Sequence, residues 1–331
     1  MGFWSRLGAV LTDTGRPEEA VRIFVDRTRD EPTRRAQVEV VRTLSDRFGF
    51  ETTDDPARLA AATESWAHLT RALADPASWV RATALTGLRE LANILRNHVD
   101  PELVRATYGP VWRCLRDHDP QIRAEAGPTL SSFSDVMDAR TRLAATRAVG
   151  ALLADPDDDV RAQALFYLGT MDVEAREFLP GAYAALTDPD PQVRTSAVRA
   201  VKMIGPGRDG APTEVIGRLM HLLVADPAPR VREGAADCLG DADVRGTGTL
   251  DRYVVTALIQ ALADPDAQVR HTVVFALGDL GAAAERAVWP LLQLADGEHR
   301  EAVGFALRDI GTPAARQALR HAGLPLHTPF D

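Results

Sequence analysis

Two charged residue types recur along this 331-residue chain at a fixed separation. Aspartates stand at Asp75, Asp117, Asp155, Asp188, Asp226 and Asp264. Six residues after each comes an arginine: Arg81, Arg123, Arg161, Arg194, Arg232 and Arg270. A column of guanidinium groups could bind a polyanion. It could equally pair with the aspartates, because guanidinium and carboxylate match in a two-pronged hydrogen bond. Equal numbers and constant spacing favour a structural ladder, each arginine meeting an anchor aspartate of its own or a neighbouring repeat.

Other reactive residues do not assemble into a recognisable site. Asp241, Asp243 and Gly246 imitate the start of a calcium loop, but Arg245 and Arg252 stand where two oxygen ligands are required. No two histidines have the helical i, i+4 spacing of a metal pair. Cys114 and Cys238 lie about three repeats apart and fit no zinc spacing, so both read as core thiols. No phosphate-binding glycine loop and no nucleophile–base grouping is present as a motif. The reading is of no cofactor, no metal and no positive sign of an enzyme.

The elements that carry the column follow from spacing. Offsets of five, nine and thirteen from each aspartate give one apolar or small stripe, for example Val269, Val273 and Leu277. Steps of four draw that stripe along one face of a helix. Asp119, Asp157, Asp190 and Asp266, two residues after their anchors, suit helix N-caps. Pro120, Pro191 and Pro229 suit the first helical position. Each cluster thus stops one helix, turns, and starts a second. Gly127-Pro128 predicts a break or kink in the second helix of its repeat. Gly205–Pro212 predicts a mobile connection.

With the anchor aspartate ending a first helix and a Val-Arg pair such as Val269-Arg270 opening the second, the pattern resembles the HEAT repeat, in particular the short PBS-lyase HEAT-like form. The resemblance covers residues 69–311 well and 17–50 weakly. It implies an all-α protein, a right-handed α-α superhelix (solenoid) of about eight helical-hairpin repeats. It also implies that Asp75, Arg81, Asp155, Arg161, Asp188, Arg194, Asp226, Arg232, Asp264 and Arg270 form an inter-repeat ladder. Asp296 begins a shortened repeat that has lost the Val-Arg pair. The expected division is capping helices and a degenerate first repeat at 1–50, the repeat solenoid at 51–311, and a capping helix and tail at 312–331.

In that family the second helices line the concave face. The positions there that do not repeat are the binding candidates: Phe166, Tyr167, Arg199, Lys202, Asp237, Asp241, His271, Phe275, Asp279 and Phe305. Exposed aromatics concentrate interface energy. Arg199 and Lys202 suggest a small basic spot, and Asp237, Asp241 and Asp279 an acidic C-terminal half.

The leading function is a non-enzymatic scaffold or regulator holding a protein partner, basic or helical, on the concave face. An assembly factor and a toxin-neutralising partner both fit. The resemblance also implies two alternatives: a HEAT-like DNA glycosylase or other nucleic-acid-acting enzyme, and a chromophore lyase or prosthetic-group-handling factor. A formal charge of −9 opposes nucleic-acid binding. No apolar run is long enough to span a bilayer, and the first residues lack secretory and myristoylation patterns. The expected location is therefore cytoplasmic, with no membrane partner.

Overall fold

The computed structural model describes residues 63, 66, 67, 69–95, 100–205, 211–241, 251–295 and 297–324. The expected first repeat within 1–50, the connection at 206–210, the calcium-like stretch from 242 to 250, Asp296 and the tail from 325 lie outside them.

All regular structure among the described residues is helical. In chain order the helices are α1 (Ser78–Leu95), α2 (Pro101–Cys114), α3 (Pro120–Ser131), α4 (Ala139–Ala151), α5 (Asp158–Leu168), α6 (Leu179–Ala185) and α7 (Pro191–Ile204). They continue with α8 (Thr213–Ala225), α9 (Pro229–Gly240), α10 (Asp251–Ala261), α11 (Ala267–Asp279), α12 (Val288–Leu292), α13 (Arg300–Ile310) and α14 (Pro313–His321). The chain divides into two compact units, residues 1–167 and 168–331, the division falling at the last residue of α5.

The turns between helices are built by short polar side chains. Asp188 and Asp226 each accept the N–H two residues on, at 3.0 and 2.9 Å, which closes the turn after a first helix. Asp190 then accepts from Gln192 and Val193, at 2.7 and 3.1 Å, and caps α7. Asp266 caps α11 in the same way through Gln268 and Val269. Each such cap stabilises its helix by roughly 1 kcal/mol. Pro120, Pro191 and Pro229 open α3, α7 and α9, where no intrahelical donor is needed. At the other end, α13 stops at Gly311, whose φ of 64° is the left-handed conformation that favours glycine.

In the second unit, α6, α8, α10 and α12 are first helices and α7, α9, α11 and α13 are second helices. Each second helix packs on its own first helix and on the second helix of the next repeat, and α14 packs on α13. The stripe residues fill the space between the layers: Val193, Ala197, Val201, Val231, Ala235, Leu239, Val269, Val273 and Leu277 are all wholly buried. Burying such a valine or leucine contributes roughly 1.5–3 kcal/mol. In the first unit, α1 packs on α3 and α2 on α3. There Trp66, ahead of α1, donates its indole N–H to Thr107 Oγ1 at 2.8 Å and tilts against Phe133.

The break expected in the second helix of the Gly127-Pro128 repeat is absent. Gly127-Pro128 does not interrupt α3, which runs three residues beyond the proline to Ser131. The proline deletes a single donor near the helix end. Around it the hydrogen bonding continues, with Thr129 Oγ1 donating to the Glu125 carbonyl at 2.9 Å and Ser132 N–H to the Pro128 carbonyl at 3.0 Å.

Candidate functional site

The arginine column is consumed by the stack. Arg81 donates Nε and Nη2 to the two carboxylate oxygens of Asp117, both at 2.8 Å. Its Nη1 turns back to the backbone carbonyl of its own anchor, Asp75, also at 2.8 Å. Arg123 treats Asp155 and the Asp117 carbonyl in the same way. In the second unit Arg194 reaches Asp226 at 2.7 and 2.9 Å, and Arg232 reaches Asp264 at 2.7 and 2.9 Å. In these rungs the carboxylate belongs to the following repeat and the carbonyl to the arginine's own. One guanidinium therefore ties two repeats together.

Burial pushes the Asp117, Asp155 and Asp264 carboxyls up. Hydrogen bonds from the facing arginine and from the backbone two residues on, with the guanidinium charge, outweigh it and leave all three below the ordinary value. The same bonds to aspartate hold Arg123, Arg194 and Arg232 above the usual arginine value, against burial. Such a column has no open charge for a polyanion. Arg161 donates to the Asp155 carbonyl at 3.0 Å, and Asp188 closes its own turn.

The last rung differs, and its spacing in the sequence did not announce it. Arg270 donates Nη2 to Glu298 at 2.7 Å and Nε to His299 Nε2 at 3.4 Å. His299 is only 6% exposed. The same Nε2 lies 3.3 Å from Glu298 Oε1. Burial lowers its pKa, Glu298 opposes, and Arg270 and His271 lower it further. The His271 and His299 rings lie 5.8 Å apart although the residues are far apart in sequence.

The binding candidates divide between the two units. Phe166 and Tyr167 belong to the first, where their rings meet T-shaped at 5.0 Å, both half-buried. Burial raises the Tyr167 phenol, Arg89 opposes and Glu125 adds to it. Arg89 and Glu125 are themselves paired at 2.9 Å, from α1 to α3.

The remaining candidates lie in the second unit, on or at the end of the second helices. Lys202 of α7 reaches Asp237 of α9 at 2.7 Å, so it does not join Arg199 in an open basic spot. Asp241 follows α9 and is half-buried. On α11, His271 packs T-shaped against Phe275 at 5.0 Å, and Asp279 is exposed at the end of the helix. Phe275 and Phe305 keep 40% and 39% of their surface exposed, high for phenylalanine in a packed helical layer. The Arg308 guanidinium lies 4.4 Å above the Phe305 ring.

Neither cysteine offers a reactive thiol. Cys114 and Cys238 are free and buried, and burial pushes the Cys114 thiol up to about 11. Among the described residues no group of three or more His, Cys, Asp and Glu side chains has metal-binding geometry, and no helix is long and apolar enough to cross a membrane.

A family profile of HEAT repeats matches residues 146–240 and 255–324, and one of a HEAT-like repeat matches 229–280. No curated protein matches the chain. Among solved structures, an engineered protein is 18% identical, with a TM-score of 0.52 over 94% of this chain and 92% of its own. Kap95p, from work on its complex with RanGDP, is 14% identical, with a TM-score of 0.57 over 92% of this chain and 48% of its own. Kap95 in complex with Nup1 is likewise 14% identical, with a TM-score of 0.56 over 88% of this chain and 40% of its own. The chain thus spans under half the length of Kap95, and at these identities the likeness is one of fold.

Proposed function

Because the chain is a HEAT-repeat protein, we propose that it is a non-enzymatic scaffold or regulator that docks a protein partner on its layer of second helices, the expected concave face. Stacked repeats of this kind present an extended surface and typically bind proteins.

The observation that carries this reading is a contrast within each second helix of the second unit. The stripe positions repeat and are buried. The positions eleven residues after the anchor, Arg199, Asp237 and Phe275, with Phe305 as their equivalent, are exposed and vary in type, two of them being phenylalanine. Folding needs no exposed phenylalanine at two of these places, whereas an interface does. Kap95, named with the proteins Ran and Nup1, supports docking as a use for such a stack, and an assembly factor or a toxin-neutralising partner would fit it equally.

The test is affinity capture with mass spectrometry, comparing the wild type with the double variant Phe166→Ala/Phe275→Ala. A partner held by the wild type and lost by an equally folded double variant is the expected result. Capture indifferent to substitutions throughout the layer would sink the reading. Excision of an alkylated base from DNA would replace it with the nucleic-acid alternative.

A further inference from the structure

One arginine beyond the last rung keeps half of the ladder's geometry. Arg81, Arg123, Arg194, Arg232 and Arg270 each donate Nη1 to the carbonyl five residues back, and Arg300 does the same to Ala295 at 3.2 Å. The first four turn Nε and Nη2 to an aspartate standing where the first helix of the following repeat ends. For Arg300 the following helix is α14, and the residues at its end are Ala322, Gly323 and Leu324. Arg300 Nη2 therefore meets only backbone carbonyls, Ala322 at 3.1 Å and Gly323 at 3.3 Å. Its Nε has no hydrogen-bond partner among the described residues.

The surface around it is basic although the chain is acidic. Residues Gly311 to Leu324 include no Asp or Glu, against a net charge of −9 for the whole chain. Arg300, Arg316 and Arg320 are all exposed. Arg316 and Arg320 stand four apart on α14 and so share a face. Arg320 comes two residues before Ala322, whose carbonyl Arg300 holds. Arg316 donates to the Gly311 carbonyl at 2.6 Å, and Arg320 makes no hydrogen bond or ion pair among the described residues. Glu301 and Asp309, the exposed acids of α13, form no ion pair with any of the three.

We propose that this end of the second unit binds an acidic segment of a protein partner. One carboxylate of that segment takes Arg300 Nε and Nη2 as Asp264 takes those of Arg232, and its further acids face Arg316 and Arg320. A carboxylate suits Arg300 because the same side chain, with the same anchoring bond, meets a carboxylate in the rungs before it. A nucleic-acid backbone suits it less, because the net charge of −9 repels a long polyanion whereas a short acidic segment meets only the local cations. The seat uses none of the phenylalanines of the second-helix layer, so it stands or falls separately from docking there.

The probe is a fluorescein-labelled, serine-based peptide with aspartate at alternate positions, compared by anisotropy with its asparagine counterpart, which keeps the shape and loses the charge. At low salt the full chain is expected to bind the aspartate peptide at least about ten-fold more tightly than the asparagine peptide. Arg300→Lys, which keeps the charge but not the two-pronged bond, and Arg320→Gln should each weaken it by about three-fold or more. Arg218→Gln, at an exposed arginine on α8, should leave it unchanged. If Arg300→Lys lowers the melting temperature through its lost carbonyl bonds, Arg320→Gln, whose side chain holds nothing in the fold, carries the comparison. No binding by the wild type, equal binding of both peptides, or wild-type binding by both variants would overturn the seat. Tighter binding of a thymidine oligonucleotide, lost in the same variants, would replace the acidic protein with a nucleic acid. Binding that appears only once residues 325–331 are removed would give the seat to the chain's own Asp331 and overturn the partner.

Discussion

Arg232 and Asp264 are joined by two parallel hydrogen bonds, Nε to Oδ2 at 2.7 Å and Nη2 to Oδ1 at 2.9 Å, while Arg232 Nη1 holds the Asp226 carbonyl at 2.9 Å. One side chain thus satisfies a carboxylate of the next repeat and a helix-end carbonyl of its own. Both ionic side chains are at least nine-tenths buried. Arg232→Ala leaves that carboxylate without its counter-charge and should destabilise the fold by about 3 kcal/mol. Arg230→Ala removes an exposed side chain two residues away and should cost no more than about 0.5 kcal/mol. Urea unfolding of the two variants checks this; equal, small losses would remove the ladder from the stability account.

Acid should dismantle the ladder. Asp117, Asp155 and Asp264 have native pKa values below their unfolded ones. The native chain then binds fewer protons, so their stabilisation is fully present above about pH 4 and is lost as pH falls through that value and below. Melting temperature against pH should fall less steeply in this range for Asp264→Asn, which starts lower but has one titrating rung fewer.

The final rung should respond at milder pH. His299 is neutral and accepts from Arg270, and burial sets its pKa below the ordinary value. The unfolded chain binds the proton first, so stability falls as pH drops from about 6.5. Protection factors of the amides around α13, which allow for the slower intrinsic exchange at lower pH, should fall between about pH 7 and pH 5.5 in the wild type. His299→Gln keeps an acceptor without titrating and should remove that change.

Two glycine substitutions should move stability in opposite directions. Gly240→Ala puts a Cβ 3.0 Å from both Cα and Cβ of Ala276 and forces α9 from α11, at roughly 1–3 kcal/mol. Gly217→Ala in α8 meets nothing within 4 Å and should stabilise by up to about 1 kcal/mol through helix propensity. Thermal melts of the two variants decide the point; stabilisation by both would mean that the helices can part freely.

Much of this architecture is legible locally. Asp190 caps α7, Pro191 opens it, and Val193, Ala197 and Val201 bury one face. Each of these roles depends on neighbours within a turn or two of the same helix. The break expected at Gly127-Pro128 is absent for a related reason: a proline rule describes one lost donor, whereas Thr129 and Ser132 maintain the surrounding bonds.

The candidate surface was less legible. Spacing placed Phe275 and Phe305 at a position that varies from repeat to repeat, but their exposure depends on what stands beside them. Lys202 read as an open cation until Asp237 of the next helix claimed it. His299 carried no local signal at all, because the arginine it serves lies in the preceding repeat.

By itself the sequence determined the repeat, its helix starts, its caps and its buried stripe, because these rest on interactions within a few residues at a helical period. Only the tertiary structure decided which repeat each arginine reaches, how Glu298 and His299 complete the final rung, and that Phe166 and Phe275 belong to different compact units. Those outcomes depend on how one helix is set against the next, and residues 28 to 36 apart in the chain meet in the ladder only after that packing is made.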